Sequence, residues 1–103
     1  MIDRPVLEPL ELVWIAFEGT VLFGAGTTAL HKDGVAEIIG CGGHKHGLWV
    51  EQAEGVVSAW ARSCGASKLT MRGRFGWARY FRELGWDVLG KEEDGRTVFE
   101  KRL

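Results

Sequence analysis

The sequence has only two cysteines, Cys41 and Cys64, among its 103 residues. That is too few for a disulfide framework, so the thiols read as reduced and the protein as intracellular. It has only two prolines, Pro5 and Pro9, and residues 1–9 read as an extended arm. No apolar run approaches the roughly 20 residues that cross a bilayer, so no membrane partner is expected. The first dozen residues set Asp3, Glu8 and Glu11 against a single Arg4. A signal peptide needs a positive start and a continuous apolar stretch, so secretion is not expected. Acidic residues are missing from 62–82, although that stretch carries Arg62, Lys68, Arg72, Arg74, Arg79 and Arg82. The glycine spacing matches neither a nucleotide P-loop nor the Rossmann fingerprint.

What is present points to one globular domain over residues 1–103. Apolar residues make up 46% and charged residues 26%. That composition excludes a disordered, collagen-like or coiled-coil chain. Net charge is −1, but the first 40 residues are acidic and 62–82 are basic. Such asymmetry suits a face that meets something anionic. Fifteen glycines imply many tight turns or close backbone approaches, and five tryptophans imply a heavily aromatic interior.

Hydrophobic periodicity gives the elements. Leu10 to Phe17 is apolar at alternate and intervening positions, which predicts a strand covered on both faces. Glu18-Gly19-Thr20 reads as a hairpin turn, Val21 to Leu30 as a second strand, and Asp33-Gly34 as a second turn. Val35 to Gly40 completes an antiparallel meander. Cys41 to Gly47 reads as a glycine-rich loop. From Leu48 the period turns helical, with Trp49, Ala53, Val56, Trp60 and Cys64 on one stripe and Gly65 as the stop. Ser67 to Arg72 alternates as a strand with Leu69 and Met71 inward. Phe75 to Leu84 suits a second helix, with Trp77 and Phe81 inward and Gly85 ending it. Trp86 to Leu89 and Thr97 to Leu103 are the last strands. The expected order is β-β-β-α-β-α-β-β, an α+β fold with helices packed on a mixed sheet.

The sharpest chemical feature is the segment Gly40-Cys41-Gly42-Gly43-His44-Lys45-His46-Gly47 between a strand and a helix. A helix N-terminus offers unpaired N–H groups and about half a positive charge. Glycines before it let a ligand approach the backbone, and Lys45 adds charge. These are the parts of a phosphate or pyrophosphate site. His44, His46 and Cys41 lack a clear fourth zinc ligand, so no metal is expected. The bases Arg72, Arg74, Arg79 and Arg82 alternate with Phe75, Trp77, Tyr80 and Phe81. Such interleaving can bind single-stranded nucleic acid, although helical phase reads it as an ordinary amphipathic helix with a basic face.

The element order, the glycine loop and the helix that opens at Trp49 resemble the GCN5-related N-acetyltransferase (GNAT) fold. So does Phe81-Arg82-Glu83-Leu84-Gly85-Trp86, which is similar to that fold's ending of an aromatic, a charged turn and Gly-Phe. More narrowly, Trp60-Ala61-Arg62 and Gly73-Arg74-Phe75-Gly76-Trp77 look like the short GNAT-like proteins of tailed bacteriophages. The resemblance covers residues 10–103 and leaves the family's first strand and two helices without a counterpart.

The resemblance implies acetyl-CoA as the cofactor. Its pyrophosphate would meet Gly42, Gly43, His44, Lys45 and Gly47, and its acyl arm the backbone of Ile38 and Gly40. Glu37 takes the place of the general base. The family's acid tyrosine falls at Phe81, which has no hydroxyl, so Tyr80 is the only phenol available. Two functions follow: a catalytically silent virion or assembly accessory protein, or a small acetyl-CoA-dependent N-acetyltransferase acting on an amine. A protein partner or second copy would complete the missing N-terminal part. The expected location is the host cytoplasm or the virion.

Overall fold

A computed structural model describes residues 10–103; the expected arm at 1–9 lies outside the described residues. The fold is mixed α+β, with six strands in one mostly antiparallel sheet. The strands are β1 (Leu10–Glu18), β2 (Val21–Leu30), β3 (Val35–Gly43), β4 (Lys68–Gly73), β5 (Asp87–Lys91) and β6 (Thr97–Arg102). Helix α1 (Val50–Ser63) joins β3 to β4. Helix α2 (Ala78–Phe81) lies between 3-10 turns at Phe75–Trp77 and Arg82–Leu84. The spatial order is β1-β2-β3-β4-β6-β5, and only β3 and β4 run parallel. Among the described residues no helix is long and apolar enough to cross a membrane.

Local chemistry accounts for the ends of these elements. Gly19 and Gly34 take positive φ in the two hairpin turns. After α1, Gly65 N–H donates to Arg62 O and Ala66 N–H to Ala61 O. That pair of bonds is a Schellman stop, and it needs the left-handed φ that Gly65 adopts. The same pair recurs at Gly85 and Trp86, which bond back to Arg82 and Phe81.

Register places Ala36 beside Leu69, and Ile38 beside Met71 and Phe99, on one face of the sheet. Val50, Val57 and Ala61 of α1 and Ala78 and Phe81 of the second helical segment pack on them, with Trp86. Both helices therefore cover one face, called inward below. At β1 the link is Trp14, whose ring meets Trp60 of α1 edge-on at 5.8 Å and donates to Thr28 Oγ1 at 2.8 Å.

Four expectations need correction. β3 runs three residues further, to Gly43, because Cys41, Gly42 and Gly43 stay paired with Gly26, Ala25 and Gly24 of β2. The buried stripe of α1 is Val50, Glu54, Val57, Ser58 and Ala61, one residue beyond the expected one. The stripe includes Glu54, which the core accepts because Lys101 neutralises it at 2.6 Å, while Trp49 and Trp60 of the expected stripe are half-buried against the core. Val56 and Cys64 are consequently exposed. The expected helix at 75–84 is one short α-helical turn between 3-10 turns, with Gly76 weakening its start. Trp86 precedes the strand, and its ring is buried against Phe81 at 4.9 Å.

The outward face of β1 also departs from expectation. Val13, Ile15 and Phe17 lie exposed there, so among the described residues the strand is covered on one side only.

Candidate functional site

The parallel pairing of β3 and β4 is short. It joins Val35–Ile38 to Lys68–Met71 and then stops. Beyond Ile38, β3 pairs only with β2, across a bulge at Ile39. Beyond Met71, β4 pairs only with β6. The two strands part, and among the described residues the backbone of β3 from Ile39 onward has no strand partner on that side.

The loop from Gly43 to Trp49 sits at the open end of this fork. Gly43 has φ 154° and lies so close to Phe23 that a Cβ there would strike the Phe23 carbonyl. His44 N–H donates to Phe23 O at 2.9 Å, which pins the loop to β2. Lys45 adopts left-handed φ 53°, unusual for a residue with a side chain. A 3-10 turn follows at His46–Leu48. Trp49 Nε1 donates to His44 O at 2.9 Å, closing the loop. The Trp49 ring lies directly on Gly24, where any side chain would collide with it. Gly24 thus serves close approach to this indole.

Leu48 and Trp49 N–H groups bond back to Lys45 and His46 carbonyls. Among the described residues, the N–H groups of Lys45, His46 and Gly47 have no acceptor. The first turn of α1 adds its own unpaired N–H groups. Gly42, Gly43, His44, Lys45 and Gly47 are all exposed. Successive free N–H groups beside a left-handed residue form a concavity that attracts anions.

Sequence reading missed the role of His46. Its Nε2 lies 3.1 Å from Gly43 O, and because a carbonyl only accepts, Nε2 carries the proton. Its ring stands 4.7 Å from Trp77, 5.7 Å from Trp49 and 5.8 Å from Tyr80. Trp77 in turn lies against Gly73, the last residue of β4. His46 and Trp77 therefore bridge the parted ends of β3 and β4. Two pairs of aromatic rings spaced three residues apart, 46 with 49 and 77 with 80, are the only signal of this in the sequence.

The remaining candidates fall in different places. Ile38 is inward and buried, and Gly40 faces outward opposite Thr27. Glu37 is on the outward face, with His31 Nε2 at 2.9 Å and Arg72 Nη1 at 3.5 Å. Tyr80 is on the helix side, half-buried beside His46 and Trp77, with the Arg79 guanidinium 5.3 Å from its ring. The structure thus sets Glu37 and Tyr80 on opposite faces of the sheet. Phe81 is buried among Trp77, Trp86 and Phe99. Of the basic stretch, Arg72 is held by Glu92 at 2.8 Å, and Arg82 lies 5.6 Å from the Phe75 ring. Cys41 Sγ donates to Met71 Sδ at 3.9 Å across the fork. Burial pushes its thiol up to about 11, so it stays protonated at neutral pH and is no nucleophile. Among the described residues no group of three His, Cys, Asp or Glu side chains converges.

A cavity of about 340 Å³ opens between α1 and the meander, walled by Trp14, Gly26, Ile38, Trp49, Val57 and Phe81. Its lining is mostly apolar, with Glu54, Gln52 and Thr28 among the polar residues, and it adjoins the fork through Cys41 and Trp77.

Solved structures of one kind share this architecture. An acetyltransferase from Bacillus cereus superposes with a TM-score of 0.77 at 18% identity, over 100% of this chain and 81% of that one. PaiA N-acetyltransferase from Thermoplasma acidophilum, in complex with coenzyme A, gives 0.76 at 15% identity, over 90% and 61%. A Bacillus subtilis acetyltransferase, also in complex with CoA, gives 0.73 at 12% identity, over 96% and 81%. The chain spans less than two thirds of the Thermoplasma protein's length. No family model and no curated protein matches the sequence. At these identities the likeness establishes the fold: this is a GNAT-like acetyltransferase fold.

Proposed function

We propose that this chain binds acetyl-CoA at the fork between β3 and β4 and is a small N-acetyltransferase acting on an amine. The observation that carries this reading is the trio of free N–H groups at Lys45, His46 and Gly47, set at the mouth of the parted strands. These donors, the first turn of α1 and the Lys45 ammonium fit a pyrophosphate. Gly42, Gly43 and His44 border it. The unpartnered backbone of β3 at Ile39 and Gly40, next to the last paired residue Ile38, fits the amides of an extended arm. Two neighbours of the same fold were solved in complex with coenzyme A, which supports the assignment. When bound, the cofactor supplies an activated acyl thioester.

The chain's own residues then have distinct work. The loop holds the anionic end and sets the direction of the arm along β3. Glu37, already fixed by His31 and Arg72, takes the proton of the acceptor amine directly or through water. Tyr80, the only phenol in the sequence, faces the fork from the helix side beside His46 and Trp77 and returns a proton to the departing thiolate from there, while Glu37 meets the amine from the opposite face.

A second reading is favoured by the bridge of His46 and Trp77 across the fork and by the buried Phe81. It is a catalytically silent module of this fold, an accessory of virion or assembly in the host cytoplasm or on the particle. The motifs Trp60-Ala61-Arg62 and Gly73-Arg74-Phe75-Gly76-Trp77, read as resembling short phage GNAT-like proteins, are what suggests that context.

Thermal melts with millimolar acetyl-CoA or CoA separate the readings. A ligand at 100 times its Kd adds about 2.7 kcal/mol to native stability, so the melting temperature rises by several degrees. No rise with either compound removes the acetyltransferase reading. With binding shown, Glu37→Gln lowers turnover by roughly 100-fold or more and leaves the melting shift intact. Binding without any turnover on polyamine, aminoglycoside and peptide amines favours the silent module.

A further inference from the structure

We propose that the outward face of the β1–β3 meander is the contact surface between two copies of this chain. Register puts Val13, Ile15 and Phe17 of β1 and Leu22 of β2 on that face. Ile39 joins them, turned outward beyond the buried Ile38. Their exposures are 67%, 60%, 66%, 56% and 43%. A Phe side chain presents about 150–250 Å² and Val, Ile and Leu somewhat less, so at these exposures the patch offers roughly 400–500 Å² of apolar surface. A monomer's largest patch is about 300–600 Å², which puts this one toward the top of the range.

The amount matches one kind of occupant. A standard interface takes about 800 Å² from each partner, and homodimer interfaces are about 65% apolar. The product is again roughly 500 Å². A twofold axis through the patch sets the same residues against themselves, which an apolar sheet face satisfies without any charge pairing. Two such faces pack as a sandwich about 10 Å thick. A membrane surface fits less well, because it needs a basic rim. Here the charged side chains beside the patch are Glu37 with His31 and Arg72 on it, a paired set rather than a basic rim. The residue pattern of β1 asks for cover on both sides of the strand, and the described residues supply only one.

Sedimentation velocity of the full chain at micromolar concentration tests this. The expected species has about twice the 11.4 kDa chain mass. The double variant Ile15→Lys, Phe17→Lys sediments as the single chain, with its far-UV spectrum unchanged because both positions are already exposed. Should it fail to fold, Ile15→Thr with Phe17→Thr keeps strand propensity and weakens the dimer at least tenfold. Leu89→Lys, an exposed apolar site on β5 at the other edge of the sheet, leaves the dimer intact. A single-chain species for the unaltered protein overturns the proposal. So does a dimer that survives the β1 variants or dissociates equally in Leu89→Lys.

Discussion

Glu54 and Glu37 each hold two partners, on opposite faces of one sheet. Glu54, on the inward face, is buried and takes Lys101 Nζ at 2.6 Å and Trp86 Nε1 at 2.8 Å. Glu37, on the outward face, takes His31 and Arg72 and remains a quarter exposed. The residue type and the number of partners are the same. What differs is whether water can replace a partner that is lost. Inward, an orphaned charge stays uncompensated in the core. Outward, solvent takes over at small cost. The same division explains why the inward face is stable in a single chain while the outward apolar patch calls for a second one.

The largest test of this contrast is Glu54→Ala. It strands the Lys101 ammonium and leaves the Trp86 N–H without an acceptor, so stability falls by about 3–5 kcal/mol. Urea unfolding measures it. The next is alkaline titration. The Cys41 thiol rises from its usual 9.0 to about 11 in the folded chain. The unfolded state therefore releases its proton first. Its contribution is complete below pH 9 and is lost as pH climbs toward 11, a fall of roughly 2–3 kcal/mol. Cys41→Ser should remove that dependence.

Glu37→Ala sharpens the comparison from the other side. A partly solvated pair is worth about 1 kcal/mol or less, so unfolding should shift little. A loss as large as that of Glu54→Ala would mean that the outward face is not open to water. The smallest effect belongs to Thr97→Val. Thr97 Oγ1 is buried with no hydrogen-bond partner among the described residues. Removing it should leave stability unchanged or slightly higher.

Much of the fold was legible because it is local. Asp33-Gly34 and Gly65 announce their turns through backbone conformations that few other residues adopt. The alternation of Leu69 and Met71 reports its own buried face. The α1 stripe was misplaced by one residue because a glutamate was counted as solvent-facing. Its acceptance in the core depends on Lys101, 47 positions away. The glycine loop was legible as an anion site. The contact of His46 with Trp77 was not, because helical phase says nothing about which loop a ring will meet.

The sequence by itself determined the elements, their order, the turns and the loop's free backbone donors, since each depends on neighbouring residues. Only the tertiary structure decided where β3 and β4 part, which glutamate is buried, and which face of the meander is left bare. Those depend on pairings between distant segments, where the balance of burial, charge and hydrogen bonding is settled only once the strands and helices meet.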